Sequence, residues 1–307
     1  MWPLRSMLLI PGLRLDWVKK APLYGSDSVL LDIADSAPPD LKIEARAKAR
    51  QGVSSLRSAN IPAFVNVNAW GHGGQEDVFA VVSSGLSGVM LNKVRSADEV
   101  RELDAAISYA EGAAGLPFGS VAIIVLPETA EGLWAARDLA AASKRAKSLI
   151  GACGPFAGDV SRAVGYRPSV EGSESLFLAS KIVLDSRAGG APYPLAGIIG
   201  SKLNDLATVK ILVQRARALG YTGCIVAHPS HVRIVHEVYM PTQDEIEYHT
   251  GVLEAMREAE NRGIGAVRYR GEMIDYASIP HANEVLREAQ RRKIRVADES
   301  ASQPGEQ

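Results

Sequence analysis

Two carboxylates stand where chemistry would need them. Glu128 follows the apolar run 121–126 and Asp159 follows the next run, 148–152, so each comes just before a helical stretch. Acids brought together repel unless they share a cation or a proton. With no His or Cys beside them, hard oxygen ligands favour Mg²⁺ holding several waters over Zn²⁺. Capping of the following helices explains the same two positions equally well, so spacing alone leaves ligation and capping level.

Other polar residues close apolar runs in the same way. Arg14 follows the run 7–10 and suits either a phosphate or carboxylate or the start of the first helix. Asp32 and Asp35 follow the run 28–31, as a catalytic or supporting pair or as a turn entry before Pro38-Pro39. Asn66 lies within 63–67, Asn92 and Lys93 follow 88–91, and His228 follows 224–227. Lys93 is either a ligand contact or a solvated lysine. His228 is either a general acid–base or a histidine bonded to backbone. His72, in the loop Gly71-His72-Gly73-Gly74, receives no role, and His231, His236 and His249 read as helix-surface residues. A second glycine-rich turn, 151–158, leads into Asp159.

Something must carry these residues to one place. The runs 7–10, 28–31, 63–67, 88–91, 121–126, 148–152, 195–199 and 224–227 alternate with helical patterns such as 39–57, 97–110, 129–142, 173–188 and 206–219. Such alternation is the signature of a parallel sheet with crossover helices. Eight units without a composition break predict an α/β protein, a closed (β/α)₈ TIM-type barrel over 1–240. No G-x-G-x-x-G follows any run, which argues against an open Rossmann sheet. Active sites of barrels form at the carboxyl ends of the strands, where the polar residues above fall. Residues 242–262 and 282–292 read as charged helices around a short extended segment, 266–274. They make 241–292 a helical extension, and the polar tail 293–307 is expected to be disordered.

The 307 residues are 47% hydrophobic and 22% charged, which suits a globular chain with a substantial core. A formal net charge of −1 without a dense basic run argues against nucleic acid or an anionic membrane as the main partner. A small anionic ligand stays compatible, because a pocket needs only a few local cations. No window reaches the roughly 18 apolar residues of a membrane span, and the start lacks the pattern of a signal peptide. A cytoplasmic location is therefore expected. Cys153 and Cys224 show no ligand spacing and read as reduced core thiols.

The ordered set of motifs resembles the citrate lyase beta-subunit-like family. It runs from Arg5-Ser6-Met7-Leu8-Leu9-Ile10-Pro11-Gly12 and Leu30-Leu31-Asp32 through Lys93-Val94 to Pro127-Glu128-Thr129-Ala130-Glu131-Gly132 and Gly158-Asp159-Val160. It continues with Gly220-Tyr221-Thr222-Gly223, His228-Pro229-Ser230-His231-Val232, Tyr239-Met240-Pro241-Thr242 and Gly271-Glu272-Met273-Ile274-Asp275, covering about residues 5–290. The resemblance implies a Mg²⁺-binding barrel that assembles as a homotrimer or hexamer. It also implies carbon–carbon lyase chemistry between an acyl-CoA and a 2-oxo or hydroxy acid, as on citryl-CoA or malyl-CoA, with coenzyme A as part of the substrate. By position, Glu128 and Asp159 match the family's metal ligands, and Arg14 lies where the family contacts the anionic ligand or cofactor. Asp275 matches an acid lent by the C-terminal segment of a neighbouring subunit, so the extension is expected to pack there. Asp275 or Asp35 would move the proton, with Lys93 beside them.

Three positions depart from the family pattern. The second strand usually ends Leu-Asp-Leu-Glu-Asp, and here Ala34 replaces the glutamate. Asn66 stands where the third strand usually carries an arginine, and Asn92 where the fourth usually carries a proline before Lys93. Losing a glutamate and an arginine together keeps the local charge balanced. An asparagine still donates hydrogen bonds but brings no full positive charge, at a cost of about 2–3 kcal/mol to ordinary family chemistry. The alternatives are an altered lyase substrate, thioester hydrolysis or free 2-oxo acid aldol cleavage on the same barrel, or a catalytically silent acyl-CoA binder.

Overall fold

The computed structural model describes residues 1–154, 158–199 and 202–301, with side chains as far as Gln290. The expected turn 151–158 therefore lies partly outside the described residues, as do residues 302–307 of the tail.

Eight parallel strands close into a barrel: β1 (Ser6–Pro11), β2 (Ser28–Asp32), β3 (Ala63–Val67), β4 (Leu86–Leu91), β5 (Ala122–Val125), β6 (Ala146–Ala152), β7 (Leu195–Ile198) and β8 (Gly223–Val226). Each pairs with the next, and β8 returns to β1 through Cys224 beside Ser6 and Val226 beside Leu8. Strands covered on both faces are apolar throughout rather than alternating. Accordingly β2 and β3 are buried at every position, including the polar ends Asp32 and Asn66. Every strand gives one side chain to a single interior layer: Met7, Leu30, Phe64, Met90, Ile124, Ile150, Leu195 and Ile225. Trp2 packs against this layer and stacks on Tyr193 at 5.5 Å between ring centroids.

The helices of this part of the chain are α1 (Leu15–Val18), α2 (Lys42–Ser58), α3 (Gly74–Val81), α4 (Ala97–Ala113), α5 (Ala130–Trp134), α6 (Ala136–Ala141), α7 (Gly158–Val164), α8 (Leu176–Ala188), α9 (Leu206–Leu219) and α10 (Pro229–Tyr239). The single helix expected over 129–142 is broken at Ala135. Lys181 Nζ donates to the carbonyls of Leu133 and Trp134 at 2.9 and 3.0 Å, which supplies the end of α5 with a side-chain partner.

The amino-terminal ends of the strands are held by buried ion pairs. Arg145, just ahead of β6, makes a bidentate pair with Glu111 at 2.8 and 2.7 Å and reaches Asp104 at 2.6 Å. Arg5, just ahead of β1, makes another with Asp27 at 3.0 and 2.7 Å. His236 joins this second network through Ser6 Oγ at 2.8 Å, and His231 is 1% exposed with Nε2 on the Leu203 carbonyl at 3.0 Å. Neither is the helix-surface residue the sequence suggests, since His231 is buried and His236 is half-buried against Ser6. Cys153 and Cys224 are buried free thiols, and burial pushes the Cys153 thiol up to about 12.

The chain divides into two compact units, Met1–Val238 and Tyr239–Gln307. The second holds α11 (Gln243–Glu260), the hairpin β9 (Ala266–Tyr269) and β10 (Glu272–Asp275), and α12 (Ser278–Ala301). A capping box between Thr242 and Glu245 starts α11. The extended segment 266–274 is this hairpin, turned by Arg270 and Gly271, both at positive φ (43° and 92°) as a tight two-residue turn requires. Val252, Met256, Ile274 and Ala282 form the unit's own core. Among the described residues no helix is long and apolar enough to cross a membrane.

Candidate functional site

The carboxyl ends of β2 to β6 bring four charged side chains to one rim. Lys93, directly after β4, has Nζ 2.7 Å from Asp35 Oδ1 and 3.4 Å from Asp159 Oδ2. It occupies the left-handed region at φ 53°, which costs a residue with a Cβ about 1–2 kcal/mol. That backbone is held by its neighbours. Val94 N–H donates to the Leu126 carbonyl at 3.4 Å, and the Thr129 hydroxyl donates to the Val94 carbonyl at 3.1 Å. The loop after β4 is thus stitched to the start of α5, next to Glu128. Gly132 makes the approach possible, because a Cβ there would lie 2.0 Å from the Val94 oxygen.

The side-chain cap of α5 is Thr129, whose Oγ1 accepts the Gly132 N–H at 3.0 Å, so Glu128 is not that helix's side-chain cap. Glu128 feels Asp159, Lys93, Asp35 and Asp32. Burial, then the charge of Asp159, push its carboxyl up to about 7, while Lys93 pulls in the opposite direction. Asp159 sits in the first turn of α7, where a carboxylate is favoured by the helix dipole, and also pairs with Arg162. For Lys93, burial disfavours the ammonium, but the bond to Asp35 and the charges of Asp35, Asp159 and Glu128 outweigh it and raise its pKa.

An acid held near neutrality by burial and a second acid is a site short of positive charge. Glu128 and Asp159 could hold a divalent cation there. Among the described residues no group of three or more His, Cys, Asp or Glu is arranged to do so. A two-carboxylate set suits Mg²⁺, which completes its shell with water and ligand oxygens.

Beside this cluster lies a cavity of about 360 Å³, which shares Asp35 and Lys93 with it. Its other walls come from the loops after β3 and β4 and the first turn of α4: Asn68, Trp70, His72, Asn92, Arg95 and Glu99. His72, given no role from sequence, is one of them. Asn68 is spent on the scaffold. Its amide bonds Asp77 at 2.6 Å and accepts from Lys42 at 2.8 Å, while Asp77 holds Arg46 at 2.6 Å. Trp70 is tied to α4 through its indole N–H on Glu102. Nothing in a loop sequence has periodicity, so only the position of these residues after β3 and β4 marks them.

The remaining candidates are less central. Asp32 and Asn66 are buried and bonded to each other at 2.8 Å. Arg14 is exposed, paired with Asp16 at 2.7 Å and 3.9 Å above the Trp17 ring, and its hydrogen bond draws Asp16 down to about 2. His228 Nδ1 lies 2.8 Å from Ser230 Oγ and accepts the Ser230 N–H at 3.3 Å, at the first turn of α10. Asp275, in the second unit, ends β10 with Oδ1 accepting the Ala277 N–H at 2.9 Å, ahead of α12.

Comparison with known proteins places these observations. The family model described as HpcH/HpaI aldolase/citrate lyase matches residues 5–229. The chain is 31% identical over 287 residues to the citrate lyase subunit beta-like protein of Deinococcus radiodurans, covering 92% of this chain and 96% of that one. It is 32% identical over 292 residues to the citrate lyase subunit beta of Haemophilus influenzae, covering 93% and 96%. Among solved structures, CitE of Mycobacterium tuberculosis in complex with magnesium, acetoacetate and coenzyme A superposes with a TM-score of 0.72 at 25% identity, covering 93% of this chain and 98% of that one.

Proposed function

The chain belongs to the HpcH/HpaI aldolase/citrate lyase family, and on that footing we propose that it is a Mg²⁺-dependent carbon–carbon lyase cleaving a hydroxyacyl-CoA to an acyl-CoA and a 2-oxo acid. The observation that carries this reading is the rim cluster of Glu128, Asp159, Lys93 and Asp35, an acid pair in need of a cation beside a firmly protonated lysine. The M. tuberculosis relative crystallised with magnesium, acetoacetate and coenzyme A supports it.

Glu128 and Asp159 would hold Mg²⁺, which when bound supplies Lewis acidity and orients a 2-oxo acid. Lys93, fixed by Asp35 and Asp159, keeps a positive charge at the mouth for an incoming carboxylate. In the cleavage direction a carboxylate takes the proton of the substrate hydroxyl as the C–C bond breaks, and the bonding pair passes to the acyl α-carbon as an enolate, which is then protonated. Asp35 is one candidate for that base. Asp275 is the other, lent by a neighbouring subunit of a homotrimer or hexamer. Arg14, exposed beyond the end of β1, is free to swing from Asp16 to an anionic part of coenzyme A, and His228 closes the eighth strand on the same rim. Ala34 lines the pocket without the family's glutamate charge, Asn92 puts an amide on its wall in place of a proline, and Asn66 behind them lacks the family's arginine, so the substrate differs from the usual one on that side.

A panel of hydroxyacyl-CoA thioesters with Mg²⁺, read by mass spectrometry, tests the proposal. Paired appearance of an acyl-CoA and a 2-oxo acid is expected. Free coenzyme A alone would mean thioester hydrolysis, and tight binding of coenzyme A without any product would mean a silent binder; either overturns it.

A further inference from the structure

Asp32, Asn66 and Asn92 stand at the ends of three adjacent strands, and their hydrogen bonds run in one direction. Both Asp32 oxygens accept backbone N–H groups, Oδ1 from Ala34 at 3.0 Å and Oδ2 from Ser36 at 3.1 Å. Asn66 must therefore turn its NH₂ toward Asp32, and Nδ2 donates to Oδ1 at 2.8 Å. That leaves Asn66 Oδ1 facing Asn92, which presents its own Nδ2 at 3.5 Å. Rotating either amide by half a turn sets oxygen against oxygen. The relay thus ends on Asn92 Oδ1. Asn92 is 2% exposed and lines the cavity, and its Oδ1 has no hydrogen-bond partner among the described residues. A buried acceptor without a donor is costly, and buried polar groups in folded proteins nearly always have partners.

The charges around it narrow what that partner can be. Asp32 heads the relay with a carboxylate, and Asn66 and Asn92 bring no positive charge. Among the other lining residues the formal charges sum to zero, Asp35 and Glu99 against Lys93 and Arg95. Lys93 is held at the rim by Asp35 and Asp159. A carboxylate placed against Asn92 Oδ1 would meet an acceptor with an acceptor. A hydroxyl would complete the relay.

We propose that Asn92 is a specificity-determining residue, whose Oδ1 accepts a hydrogen bond from a hydroxyl on the 2-oxo acid half of the substrate and rejects a carboxylate at that place. This rests on the reading that the rim takes a 2-oxo acid together with Mg²⁺. The test is calorimetric titration of the full-length protein, saturated with Mg²⁺, using pyruvate, 3-hydroxypyruvate and oxaloacetate as probes. Sites built to bond a substrate hydroxyl discriminate strongly against analogues lacking it, so 3-hydroxypyruvate should bind at least about tenfold tighter than either of the others. In Asn92→Leu that preference should vanish, with 3-hydroxypyruvate binding no tighter than pyruvate. If oxaloacetate or pyruvate binds as tightly as 3-hydroxypyruvate, or if the preference survives Asn92→Leu, the proposal is overturned and the 2-oxo acid reading stands. If none of the three binds, the 2-oxo acid reading fails and takes this proposal with it. Should Asn92→Leu not fold, the wild-type ranking of the three probes decides the matter.

Discussion

Glu128 is the residue on which the site's electrostatics turn. Its carboxyl is raised from 4.5 to about 7 by burial and then by Asp159, so the folded chain binds a proton there that the unfolded chain has already lost. Wherever the folded state holds the extra proton, stability falls as pH rises. The metal-free protein should therefore lose stability between about pH 4.5 and 7, by roughly 3 kcal/mol in all. Glu128→Gln has no proton to lose and should flatten that slope. Melting curves in a chelator at half-unit pH steps compare the two. Parallel curves would mean that Glu128 is ionised at little cost in the fold. Mg²⁺ should raise the melting temperature of the wild type at pH 8 and leave Glu128→Gln unmoved, since the cation and the proton compete for one carboxylate.

Elements at the two ends of the barrel do different work, and substitutions should separate them. At the amino end, Arg145→Met leaves Glu111, fully buried at its side chain, without its bidentate partner. Breaking a buried pair from one side costs about 3–5 kcal/mol. Urea unfolding should show that loss, while kcat and KM at a permissive temperature stay unchanged. At the carboxyl end, Thr129→Val removes both the cap of α5 and the bond to Val94. Its stability cost is only about 1 kcal/mol, yet kcat/KM should fall at least about tenfold, because misplacing groups by an ångström is expensive in rate. Equal losses in both variants would erase the distinction. The sequence shows where such elements lie because each barrel strand is buried enough to read as an apolar run, and polar residues close most of the runs. It does not show who meets whom across the rim. The pairing of Lys93 with Asp35 depends on the left-handed turn after β4, and the relay from Asp32 to Asn92 depends on β2, β3 and β4 being adjacent and in register. The break in the helix at Ala135 is hidden for a similar reason, since the partner that takes up the freed carbonyls is Lys181 on α8, far away in the chain.

At the scale of the whole molecule, the two candidate bases lie in units with separate cores. The barrel carries Glu128, Asp159 and Lys93, and the smaller unit carries Asp275 at the end of β10, set by its turn into α12. If Asp275 reaches the barrel of a neighbouring subunit, every site is built from two chains, and two defective chains can complement each other. Glu128→Gln and Asp275→Asn should each be inactive alone while still assembling. Mixed as unfolded chains and refolded together in equal amounts, they pair at random around a closed ring. A site works only when its barrel comes from the Asp275→Asn chain and its borrowed acid from the Glu128→Gln chain, which random mixing gives in about a quarter of sites. Activity of the refolded mixture near that fraction of wild type is the expected result, measured with whichever thioester the wild type cleaves. A mixture as inactive as its parents would place the acid in the same chain as the barrel it serves. An Asp275→Asn variant that is fully active alone would leave Asp35 as the base.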